Sequence, residues 1–198
     1  FIGLTEFLRC PKDHEEAHAV CLPLEMEGRD VVRGVVGCPV CRAEYAIVDG
    51  IVHFAERTNA PGHRGTGAPR DAGPSGGGAG DDSGASVRRC VGALPGAPVP
   101  RCPGALSAPG LATILDLRGP GGFLLLAGAA ARLGADLVPL VPDVHIVCVN
   151  APEGVARTPG CSFLRAPERF PLTTSSMRAV VLGADVALGR WLAEGVRV

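Results

Sequence analysis

The pair Cys38-Pro39-Val40-Cys41 constrains this chain more than any other feature, because a two-residue gap between cysteines forms a tight knuckle that points two thiolates at one ion. Upstream, Cys10-Pro11-Lys12-Asp13-His14 makes a second, imperfect knuckle: Asp13 stands three residues after Cys10, and His14 lies one further. A tetrahedral zinc site from Cys10, His14, Cys38 and Cys41 is the simplest completion, with Asp13 or Cys21 able to replace His14. The bland alternative is a group of reduced thiols with no metal. A closed four-ligand site leaves no position for water and is therefore structural. It would contribute to folding in a segment, residues 1–57, that is too short to be secure on burial alone.

The cysteine distribution supports metal over disulfides. There are 8 cysteines in 198 residues, and four of them fall within the first 41 positions, which in a reducing compartment favours a metal site. Cys90 and Cys102 flank a Pro/Gly segment without a second pair beside them, and Cys148 and Cys161 fall on predicted strands as small apolar residues. His18 and His53 read as ordinary strand or surface residues.

Breakers divide the chain. With 28 Gly and 18 Pro it cannot be one continuous compact domain. Residues 1–57 carry alternating, hairpin-like patterns, with strands predicted at 19–26, 31–36, 45–48 and 51–54. Residues 58–110 form a Gly/Pro-rich linker, expected to be flexible at least over 58–86, where too few apolar side chains offset the entropy of ordering. From 111 to 198 the pattern alternates between strand and helix, the mark of an α/β domain. The predicted strands are 112–117, 144–149, 161–165 and 179–183. Helices are predicted over about 122–134 and 186–195, the latter with Leu188, Trp191 and Leu192 on one face.

Charge excludes several functions. The formal net charge of −1, with one Tyr and one Trp, offers neither a basic field nor a stacking platform, and no nucleic-acid patch is expected. Lys12 is the only lysine, which rules out a lysine-dependent phosphate loop or a Schiff base elsewhere. The longest apolar stretch, 123–142, is interrupted by Arg132 and Asp136, so no membrane span is expected. With no charged-then-apolar leader at its start, the sequence reads as cytoplasmic.

Two motifs carry resemblances. Cys10-Pro11, Cys38-Pro-Val-Cys41 and Tyr45-Ala-Ile-Val-Asp49-Gly50-Ile51 resemble the small zinc ribbon that activates tRNA, rRNA and translation-factor methyltransferases, over about residues 4–55. Similar ribbons also occur fused in front of methyltransferase domains. The Asp49-Gly50 step reads independently as a tight turn, Gly supplying φ > 0. Further on, Ala112-Thr-Ile-Leu-Asp116-Leu-Arg118-Gly119-Pro120-Gly121-Gly122-Phe123 is similar to the first motif of class I S-adenosylmethionine-dependent methyltransferases, and 163–182 to the family's third-strand to fourth-strand segment.

That resemblance implies a partial Rossmann-like domain whose cofactor contacts would be Asp116, Gly119, Gly121 and Asn150. Asn150 stands where the family has an acid for the ribose hydroxyls, and a neutral amide cannot accept both hydroxyl hydrogens as a carboxylate does. No catalytic residue is identifiable. Two functions follow: a methyltransferase-like protein with S-adenosylmethionine as a possible cofactor, or a non-catalytic subunit that binds a protein partner in a larger assembly. The expected fold class is α/β, a β-rich zinc ribbon followed by a partial Rossmann-like domain.

Overall fold

A computed structural model describes residues 1–55, 106–117, 119, 121–186 and 188–198. The sequence readings at 58–105, Cys90 and Cys102 among them, lie outside the described residues.

The N-terminal strands form by alternation and tight turns. Strands β1 (Val20–Glu27) and β2 (Asp30–Gly37) pair antiparallel, as do β2 and β3 (Glu44–Val48), and then β3 and β4 (Ile51–His53). Asp49 and Gly50 both have positive φ, 49° and 70°, the signature of the two-residue turn that matches strand twist. Val48 accordingly pairs with Ile51.

Parallel strands complete the sheet. These are β5 (Phe123–Ala127), β6 (His145–Val149), β7 (Cys161–Arg165) and β8 (Ala179–Leu182). The whole sheet has eight strands in the order β1-β2-β3-β4-β7-β6-β5-β8, with β4 joined to β7 in parallel through Ile51↔Phe163 and Val52↔Leu164. Both described stretches therefore contribute to one mixed α/β sheet. Within its parallel part the chain runs from β5 to β6 and β7 on one side, then returns to place β8 on the other. The strand order reverses beside β5.

Side-chain alternation fills both faces. Leu125, Val147, Val149 and Leu164 point to one face, where they meet Tyr45, Phe170, Leu172 and Trp191. Leu124, Leu126, Ile146, Cys148 and Phe163 point to the other, against Leu111 of helix α1 (Ala108–Leu115) and Leu137 of the short helix α2 (Gly134–Leu137). The period-2 pattern makes this division obligatory.

One region differs from expectation. Residues 112–117 were expected as a strand, but 108–115 form helix α1, because Ser107 caps it by accepting the Gly110 N–H at 3.3 Å and Pro109 fits its first turn. Asp116, with φ 43°, ends it in the left-handed conformation. Residues 122–134 were expected as a helix, but Phe123–Ala127 form β5, followed by a 3₁₀ helix over Gly128–Leu133. A short apolar run satisfies a buried strand as well as a helix, and here the hydrogen bonding of β5 to both β6 and β8 decides.

The last helix, α3 (Leu188–Arg197), buries Trp191, while Leu192 is 55% exposed and so leaves the face predicted for it. Among the described residues no helix is long and apolar enough to cross a membrane.

Candidate metal centre

Two backbone devices bring the ligands together. At the end of β2, the Cys38 N–H donates to the Ala43 carbonyl and the Arg42 N–H donates to the Cys38 carbonyl, both at 2.9 Å. Arg42 takes a φ of 58° to close this loop, which places Cys38 and Cys41 on the same side. The second device is a short antiparallel pairing of Arg9 with His18, which holds the base of a loop that returns His14 toward Cys10. The Cys10 N–H donates to the Ala17 carbonyl at 3.2 Å.

The ligand atoms of Cys10, His14, Cys38 and Cys41 all lie within 4.8 Å of one another, close enough to hold a metal ion. Cys10 Sγ is 3.6 Å from Cys41 Sγ, and Cys38 Sγ is 3.4 Å from His14 Nε2. Metal–sulfur bonds of about 2.3 Å and metal–nitrogen bonds of about 2.0 Å give tetrahedral edges of roughly 3.8 and 3.5 Å. These two contacts match such edges, and the donor set is compatible with a structural zinc ion. Neither substitute for His14 is in place: Asp13 pairs with Arg169 at 2.7 Å, and Cys21 lies on β1 opposite Val36.

Neighbouring groups tune the ligands. The His14 Nδ1–H donates to the Glu15 carbonyl at 2.6 Å, and since a carbonyl only accepts, the proton sits on Nδ1 and the Nε2 lone pair faces the thiols. The Tyr45 hydroxyl lies 3.4 Å from Cys10 Sγ, placed to donate to a thiolate. Burial pushes the Tyr45 phenol upward, which keeps it a donor. Burial also raises the Cys10 thiol, whereas the backbone N–H of Ala43 helps draw the exposed Cys41 thiol down to about 7. The site thus holds one ready thiolate and one buried thiol that a cation would help to ionise.

The residues expected to contact a nucleoside do not converge. Asp116, Gly119 and Gly121 precede β5, at the amino edge of the parallel strands, where Arg178 donates to the carbonyls of Gly119 and Gly121 at 3.1 and 3.2 Å. Asn150 follows β6, at the carboxyl edge. A five-residue strand, about 16 Å of extended chain, separates these two ends.

A cleft of about 300 Å³ does open at the carboxyl edge, lined by Ala127, Gly128, Asn150, Phe170, Asp185, Val186 and Trp191. Two of its polar side chains are partly engaged within the protein. Asn150 Nδ2 donates to the Ala166 carbonyl at 2.7 Å, and Asn150 Oδ1 accepts the Ala166 N–H at 2.9 Å. Asp185 Oδ1 accepts the Ala129 N–H at 2.8 Å. Gly128 has φ 61°, and a Cβ there would stand 2.5 Å from Val186 Cγ2. Sequence reasoning missed Gly128 and Asp185 as members of this edge. The available signals were a glycine directly after the Leu124–Ala127 run and an acid three residues beyond β8.

Comparison with family models, curated proteins and solved structures gives no match for this chain.

Proposed function

We propose that this chain is a zinc-stabilised, methyltransferase-like protein that serves as a binding subunit of a larger assembly and not as a methyl-transfer enzyme. The parallel strand order supports the architectural half of this reading. Numbered among themselves, β5 to β8 lie side by side in the order 3-2-1-4, that of the first four strands of a doubly wound sheet, and the cleft lies at the carboxyl ends beside the reversal, where such sheets take their ligands.

The observation that carries the functional half is the Asn150–Ala166 pair. Asn150, the residue expected to meet ribose hydroxyls, commits one N–H and one lone pair of its amide to Ala166, and the Gly119–Gly121 turn lies at the opposite edge. What remains on that amide is one N–H and one lone pair, which cannot accept both ribose hydroxyl hydrogens as a carboxylate does. These residues do not fit that cofactor. Zinc, by contrast, suits the donor set of Cys10, His14, Cys38 and Cys41, where it would fix the ribbon's loops and leave no open coordination position.

Calorimetric titration of the zinc-loaded chain with S-adenosylmethionine and S-adenosylhomocysteine tests the reading. No saturable heat is expected with either. Saturable binding in the micromolar range, lost on Gly128→Val, would establish a cofactor site and overturn the binding-subunit assignment.

A further inference from the structure

We infer that metal occupancy at the Cys/His centre controls the position of residues 169–174 and, through them, the aromatic wall of the switch-point cleft. This rests on the zinc reading above and adds a coupling to it. No side chain of Pro11–Glu16 is buried, so apolar packing does not position this loop. The Arg9–His18 pairing holds its base, and ligation through Cys10 and His14 would fix its tip.

The same loop and its flanks hold the connection after β7. The Arg9 N–H donates to the Pro171 carbonyl at 3.0 Å, and the Thr173 N–H donates to the Phe7 carbonyl at 2.8 Å. Glu16 accepts the Thr174 N–H at 3.1 Å and its hydroxyl at 3.2 Å, while Asp13 pairs with Arg169. From the other side, Glu194 accepts the Phe170 N–H at 3.0 Å and Arg197 donates to the carbonyls of Phe170 and Leu172. Phe170 thereby rests against Trp191 with ring centroids 4.8 Å apart, and both rings line the cleft.

His14 sits between Asp13 and Glu16, and Cys10 adjoins Arg9. Apart from that of Phe7, these ties come from residues within two positions of a candidate ligand. Each exposed tie is weak singly, but they share one metal-fixed loop and loosen together.

Hydrogen exchange on the full chain, zinc-loaded and chelator-stripped, tests this, with metal content measured on the same samples. On stripping, the Phe170, Thr173 and Thr174 amides are expected to exchange about fivefold faster or more, while the β6 amides Ile146 to Val149 stay protected. The emission of Trp191, the chain's one tryptophan, is expected to shift with them. In zinc-loaded Asp13→Ala/Glu16→Ala the metal should remain while the Phe170 amide, which neither substitution touches, also exchanges faster.

If zinc leaves and all three amides keep their protection, or if Phe170 in the loaded double variant exchanges as in the parent chain, the coupling is refuted. Should stripping expose β6 as well, the double variant decides. A chain that binds no zinc at all fails the metal reading instead, which keeps the two failures apart.

Discussion

His14 Nε2 lies 3.4 Å from Cys38 Sγ although 24 positions separate the two residues in the chain. That approach joins an imperfect knuckle to a well-formed one, and it turns a cysteine pair into a four-donor site. Its consequences can be measured ligand by ligand.

The buried ligands should matter most. Cys10 and Cys38 are 5% and 3% exposed, whereas Cys41 is exposed. Cys10→Ser and Cys38→Ser are expected to abolish zinc retention through gel filtration. His14→Ala leaves three thiolates and a position for water, and should retain zinc with an affinity lowered by about tenfold or more. Competition with a chromogenic chelator gives the ranking.

Thiol reactivity in the stripped chain should separate by pH. The lowered Cys41 value means its thiolate dominates above about 7, so alkylation should be half-maximal near pH 7. The associated stabilisation is present above the ordinary thiol range and is lost as pH falls through about 7. Cys10, raised by burial, should react only at higher pH than a free thiol. Peptide mass spectrometry after pulsed alkylation reads both, and zinc loading should protect both.

The shared sheet predicts joint unfolding. Leu164 is 1% exposed, pairs with Val52 and belongs to the core that Tyr45 and Phe170 also enter. Leu164→Ala should cost about 2–5 kcal/mol, with one cooperative urea transition followed by both Tyr45 and Trp191. Two separated transitions would show that the halves fold independently.

Much of this architecture was legible because its signals are local. Alternation located β1 to β4 and β6 to β8, and the spacing of Cys10, Cys38 and Cys41, with His14 beside Cys10, located the Cys/His cluster that could hold a metal ion. The stretch 108–127 was misread because Leu111–Leu117 and Phe123–Leu133 are apolar runs without a decisive period. Ser107 and Pro109 are the start signal that distinguishes α1. That error left Gly128, directly after β5, unread. The parallel pairing of β4 with β7 had no local signature, since it joins positions more than a hundred residues apart.

The Asn150 clamp has its own test. Asn150 has φ 52°, and its amide makes two hydrogen bonds to Ala166. Asn150→Ala removes both and leaves in the left-handed region a residue without the side-chain hydrogen bonds that let Asn occupy it, at an expected cost of about 1–3 kcal/mol. Asn150→Asp should also destabilise, because its carboxylate would face the Ala166 carbonyl without a proton to donate. Chemical denaturation of the two variants measures the difference.

Elemental analysis of the purified chain, paired with amide spectra before and after strong chelation, bears most directly on the metal centre. One zinc per chain is expected, with the resonances of Cys10 to Glu16 and Cys38 to Tyr45 dispersing only when it is bound. A chain carrying no zinc, whose same residues stay dispersed under chelation, would contradict the account.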